Sequence, residues 1–194
     1  MAQSGFTLPV FAAAAAKAAL LHLLRTGNSS EESTTKRSVE LNLLSDSCTP
    51  PEQVEIDIEQ LAVLGAMNHA GGQALAIARS NPGDNLDLTR NTPIWAYVRL
   101  VPREYSALLL EAGEGLGRSA KGEPAIYQYA KELFTVNVES LVPEQWTAIV
   151  RIILPEGQQL AQRTSNEAFG VLEGLALLGT SGISRPLAAT DALE

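Results

Sequence analysis

Glycines and hydroxyls gather near the end of the chain. Thr164-Ser165-Asn166 precedes an almost uninterrupted apolar run, Val171 to Leu178, broken by Glu173 and Gly174, and Gly179-Thr180-Ser181-Gly182 follows it. A buried element that ends in such a turn places backbone N–H groups where a ligand can approach them closely. A second glycine cluster, Gly113-Glu114-Gly115-Leu116-Gly117, follows an apolar segment. It is Gly-x-Gly-x-Gly, not the Gly-x-Gly-x-x-Gly of dinucleotide binders. Gly117 to Gly122 has the gap of a phosphate loop but continues with Glu123-Pro124 instead of Lys and Ser or Thr. The residues leave two readings, a wide hairpin connection or a glycine loop with Glu114, Arg118 and Lys121 around a ligand.

Asp84-Asn85-Leu86-Asp87-Leu88-Thr89-Arg90 is denser in polar groups than a turn requires. Asp84 and Asp87 either orient a ligand or bond to their own backbone in Asx-turns. Lys17, in an alanine-rich segment, either snorkels to solvent or holds an anion. Two histidines and one cysteine, Cys48, do not supply a closed zinc shell at typical spacings, so no metal is expected. His22, near a helix end, has a structural role on this reading. Nothing matches Gly-x-Ser-x-Gly, so no nucleophile elbow is expected.

The elements that position these groups are α and β mixed. With 194 residues, 45% hydrophobic and 19% charged, the chain can bury a core as a single domain spanning 1–194. A net charge of −8 without a basic block argues against nucleic-acid and membrane-surface partners. The lone cysteine fits a reducing, cytoplasmic compartment. Asn28-Ser29-Ser30 is a chance sequon in a polar loop, 28–37. Residues 8–24 are strongly apolar, but Lys17 and His22 interrupt them and no positive segment precedes them. A buried alanine-rich helix from about Pro9 to Arg25 is the better reading than a signal peptide or a membrane span.

Alternation predicts strands over Val39–Leu43 and Val54–Ile58. Leu61–His69 is ambiguous. Further strands are expected over Ala74–Ala78, Ile94–Leu100, Tyr105–Glu111 and Thr147–Leu154. A helix is expected from Pro124, on the spacing of Ile126, Ala130, Leu133, Phe134, Val138 and Leu141. A short helix covers Gln158–Arg163. Regular β-α-β alternation is absent, so the expected class is α+β, a mixed or antiparallel sheet with helices on one face.

Five segments in this order, SGFTLPVFAAAAAKAA (4–19), GDNLDLTR (83–90), GEGLG (113–117), GEPAI (122–126) and LAQRTSNEAFGVLEGLALLGTSGISRP (160–186), resemble the CbiD family of cobalt-precorrin-5B C1-methyltransferases of cobalamin biosynthesis. The resemblance covers nearly the whole chain. It implies a ribosomal-S5-domain-2-like first domain, with the family's second, Rossmann-like domain outside this chain. It implies methyl transfer from S-adenosylmethionine to carbon 1 of a tetrapyrrole, with cobalt only as part of the substrate. Substrate carboxylates would meet amides, hydroxyls and isolated cations such as Lys17, Arg118 or Arg185. The positions that keep the family pattern, Thr7, Lys17, Asp84, Asp87, Thr89, Glu114, Gly115, Gly117, Thr164, Asn166, Gly179, Thr180, Ser181 and Gly182, are the candidate binding residues. The resemblance admits a homodimer and a contact with the second domain, with Gly179–Gly182 facing the cleft between them.

The chain also departs from the family. Phe6-Thr7-Leu8-Pro9-Val10-Phe11 stands where Thr-Thr-Gly-Thr-Cys is usual. Arg90 replaces a usual histidine, and Tyr127-Gln128-Tyr129-Ala130 replaces Asn-Pro-Val-Pro, which lets the helix begin at Pro124. A non-catalytic tetrapyrrole-binding or handover module is the alternative. A small-molecule kinase-like domain is weaker, because Gly113–Gly117 lacks the supporting Lys and Ser.

Overall fold

The structure is a computed structural model that describes residues 3–26, 37–44, 52–164 and 170–185. The polar loop at 28–36, Cys48 and Asn166 lie outside the described residues.

The element order is β1 (Gly5–Phe6), α1 (Leu8–Thr26), β2 (Arg37–Leu43), β3 (Glu52–Ile58), β4 (Gln60–Asn68), β5 (Gly71–Arg79), β6 (Pro93–Pro102), β7 (Leu108–Ala112), α2 (Gln128–Asn137), β8 (Trp146–Ile153), α3 (Gly157–Ala161) and β9 (Ile183–Ser184). A 3₁₀ turn, Glu139–Leu141, extends α2. The main sheet has the order β4-β5-β6-β8-β7. It is antiparallel except for β7 and β8, which run parallel and are joined through α2. β2 and β3 form a separate antiparallel hairpin, and β1 pairs with β9. The fold is α+β, as expected.

Helix α1 is the centre of the molecule. Its 19 residues span about 28 Å. Ala12 to Ala16 have no exposed surface. One side meets β4, β5 and β6; the other meets β2, β3 and α2. A helix apolar on all sides is stable in water only when covered all round, and two layers cover this one. The facing sheet positions are also small: Ala74, Ala76, Ala78, Ala96 and Ala148 are all fully buried. Small residues on both surfaces let helix and sheet approach closely. Leu8–Arg25 is long and apolar enough to cross a membrane by length and composition, yet it sits packed in the core.

Three expectations are corrected. The ambiguous segment is strand β4, whose short Ala and Gly side chains hide its alternation. The second helix begins at Gln128, not Pro124. Residues 124–127 are instead held extended: Ala125 N–H donates to Gly117 O at 2.8 Å, and Tyr127 N–H to Leu177 O at 3.1 Å. Competing backbone partners therefore take the turn that Pro124 could have opened. Within α2 the expected spacing holds, with Ala130, Leu133, Phe134 and Asn137 buried. Finally, the glycine segment after β7 is not a hairpin connection, because β7 and β8 are parallel.

Candidate functional site

The predicted site residues fall into three separate places. The first is a junction at the start of α1. There β1 pairs with β9, Gly5 opposite Ser184 and Phe6 opposite Ile183. The loop after β5 closes on the same strand: Phe6 N–H donates to Asn81 O at 3.0 Å and Asp84 N–H to Gln3 O at 2.7 Å. The Asp84 carboxylate accepts the Gln3 N–H at 2.6 Å. A side chain at Gly5 would overlap the Pro82–Gly83 backbone, so only glycine permits this crossing. Asn85 Nδ2 donates to Ser184 Oγ at 3.0 Å and ties the loop to β9.

Thr7 N–H donates to Gly182 O at 2.9 Å, and its hydroxyl to Ser181 O at 3.0 Å. Thr7 and the Gly179–Gly182 turn, 172 or more residues apart in sequence, are thus neighbours. Gly182 is buried against Tyr129, Leu43 and Val10, whereas Thr180 and Ser181 are exposed. Asp87 Oδ1 accepts both the N–H and the hydroxyl of Thr89 at 2.8 Å. This is the Asx-turn of the structural reading.

The second place is a backbone junction around Gly115. Gly113 N–H donates to Ile152 O, Leu116 N–H to Gly113 O and Gly117 N–H to Leu175 O. Leu175 N–H returns a bond to Gly115 O at 2.9 Å, and Leu154 N–H bonds Glu114 O at 2.9 Å. A side chain at Gly174 would strike Gly115 O, and one at Gly157 the same atom. The N–H groups of Gly113, Leu116 and Gly117 are thus committed, and Gly113–Gly117 joins the closing run to the end of β8. Arg118 is used here too, donating to Ala112 O at 2.7 Å and Gly122 O at 3.1 Å. Thr164 terminates the α3 region, its hydroxyl donating to Ala161 O at 2.9 Å.

Lys17 is the third place. Its ammonium donates to Glu40 O on β2 at 2.6 Å. Burial pushes its pKa below the usual lysine value, and the Glu40 carboxylate partly offsets this. Arg185 is exposed just beyond β9.

Beside the first junction lies a cleft of about 1230 Å³, large enough for a sizeable cofactor-like ligand. One wall carries Phe6 and Phe11, whose rings meet edge to face with centroids 6.3 Å apart. β3 and the start of β4, including Glu55, Asp57 and Glu59, form another. Arg79, Ser80, Asn81, Arg90 and Asn91 close one end. Arg79 is paired with Glu59 at 3.0 Å. Of these residues, sequence reasoning singled out only the turn at Asn81 and the departures at Phe6, Phe11 and Arg90. A cation next to the Asn81-Pro82-Gly83 turn was the signal that could have found Arg79. Among the described residues no three His, Cys, Asp or Glu side chains group as a metal site.

The structure is thus an α+β domain with an aromatic- and arginine-lined cleft beside a chain junction that only glycine permits. The CbiD family model matches residues 1–186, and the chain belongs to that family. It is 58% identical to the cobalt-precorrin-5B C(1)-methyltransferase of Gloeobacter violaceus over 100% of this chain and 49% of that protein. The protein of the same name from Cyanothece sp. is 52% identical, over 100% of this chain and 50% of that protein. The chain thus spans about half the length of the curated relatives it matches. Among solved structures, the cobalamin biosynthesis protein (cbiD) of Archaeoglobus fulgidus is 27% identical with a TM-score of 0.68, covering 96% of this chain and 56% of that one.

Proposed function

We propose that this chain supplies the substrate-facing, N-terminal part of a cytoplasmic methyltransferase that converts cobalt-precorrin-5B to cobalt-precorrin-6A in cobalamin biosynthesis. The match of the whole chain to relatives named cobalt-precorrin-5B C(1)-methyltransferase carries this reading. The cleft beside the α1 junction supports it, being large and partly aromatic. Its Phe6 and Phe11 would lie against the macrocycle, and its guanidinium groups would meet peripheral carboxylates.

In this reading the ring carbon forms a bond to the sulfonium methyl of S-adenosylmethionine as the methyl–sulfur bond breaks, and S-adenosylhomocysteine leaves as the neutral thioether. The protein then needs no nucleophile of its own; it needs to orient the ring and exclude water. In the Gly113–Gly117 loop the N–H groups of Gly113, Leu116 and Gly117 are taken by backbone partners, which argues against this loop as the donor's cradle. In this reading the donor is held largely by the half of the full-length relatives that this chain does not span.

The test is incubation of this chain, and of a form extended to the relatives' length, with S-adenosylmethionine and cobalt-precorrin-5B. A product heavier by one methyl substitution, seen by mass spectrometry with the extended form, is the expected result. Binding of the precorrin without turnover by either form would replace catalysis with the handover module. Neither binding nor product would sink both.

A further inference from the structure

We propose that the Arg79–Asn81 and Arg90–Thr92 end of the cleft is an anchor for one ligand carboxylate, with Arg90 as its cation and Ser80 as its hydroxyl donor. The tetrapyrrole as ligand rests on the reading above; the carboxylate chemistry rests on the residues.

The two segments are locked together where β5 and β6 leave the sheet. Ser80 N–H donates to Thr92 O at 3.0 Å, and Asn91 N–H returns a bond to Ser80 O at 2.9 Å. Asn91 holds a left-handed backbone with φ 62°, which asparagine tolerates better than most residues. Its carbonyl accepts a bond from Arg79 Nη1 at 2.7 Å.

The two arginines at this end differ in commitment. Arg79 gives Nε and Nη2 to Glu59 and Nη1 to Asn91, so its charge is paired and three of its five N–H donors are used. Arg90 uses only Nη2, which donates to the carbonyl oxygens of Gly83 and Asn85. Its Nε and Nη1 retain three N–H donors, and no carboxylate pairs with it among the described residues. The Gly83 and Asn85 bonds fix its orientation, which lowers the entropy a ligand must remove.

Ser80 adds the second signal. It lines the cleft, is 1% exposed, and its Oγ has no hydrogen-bond partner. A buried hydroxyl without a partner costs stability, so its retention beside an uncommitted guanidinium points to a ligand or bound water that completes it. Glu55 and Asp57 on β3 disfavour an anion along that wall, and the Glu59 charge is met by Arg79.

The experiment titrates the full chain with uroporphyrin III, with its octaamide, and with mellitate as a small polycarboxylate. Arg90→Gln should weaken uroporphyrin binding about 10-fold or more, as loss of a charge-assisted bond does. Arg90→Lys should fall between. Ser80→Ala should weaken binding a few-fold while the melting temperature holds or rises, a pairing that a merely structural serine would not give. The octaamide should respond to none of these changes. Uroporphyrin binding unchanged in both Arg90→Gln and Ser80→Ala would overturn the anchor and leave the tetrapyrrole reading intact. An equal loss for the octaamide would also overturn it, by showing that Arg90 acts through the loop's shape. Mellitate binding that depends on Arg90, with no porphyrin binding, would keep the anchor and sink the tetrapyrrole reading. No binding of any of the three would overturn both.

Discussion

At the scale of single residues, several polar groups that looked like ligand contacts hold the chain to itself. Asp87 is the clearest. Its carboxylate folds back on Thr89 at 2.8 Å, so Asp87→Ala should cost about 1 kcal/mol through the loop alone. Thermal melting checks this, and Asp87→Asn should recover most of the loss. Tyr129 behaves in the opposite sense. Its hydroxyl is buried beside Gly182 without a partner, and burial pushes its pKa up from 10.0 to about 12. The unfolded chain therefore releases this proton first. It holds fewer protons than the native state between pH 10 and 12, so stability falls as pH rises through that window. Tyr129→Phe should remove this part of the alkaline loss and be at least as stable at neutral pH; a denaturation series across pH reads both. Lys17→Met should lower stability by about 1 kcal/mol through the orphaned Glu40 carbonyl, with porphyrin binding unchanged.

At the scale of elements, the glycine pattern was legible in sequence but its use was not. Gly113–Gly117 and Gly174 read as open backbone because glycine exposes its N–H groups. They serve as the contact surface between two chain segments, where a methyl group does not fit. Gly174→Ala should cost about 3 kcal/mol or more, as expected for forced backbone displacement in a packed junction. Gly122→Ala, with nothing within 4 Å of the added carbon but a φ of 80°, should cost only about 1 kcal/mol. Denaturant midpoints compare the two. The strands β2, β3 and β6 were readable because each buries one face and alternates cleanly. β4 was not, because Ala62, Gly65 and Ala66 are too small to mark its faces. The start of α2 was misread for a different reason. Helix spacing runs back to Ile126, but that residue is buried in an extended ladder beside Leu177.

At the scale of the whole molecule, α1 ties every layer together, and it does so with small side chains. Ala14→Leu would insert three carbons where both surfaces are already in contact, at a cost of about 1–3 kcal/mol. A melting temperature unchanged by that substitution would mean the layers are looser than their burial indicates. The sequence by itself determined the α+β class, the buried alanine helix and most strand positions, because periodicity and side-chain size report burial locally. It also carried the family resemblance. Only the tertiary structure decided which candidates share a site. Thr7 and Ser181 meet because β1 pairs with β9, and Phe6, Ser80 and Arg90 line one cleft because the loop after β5 closes on β1. Those pairings join residues far apart along the chain, and no local pattern encodes them.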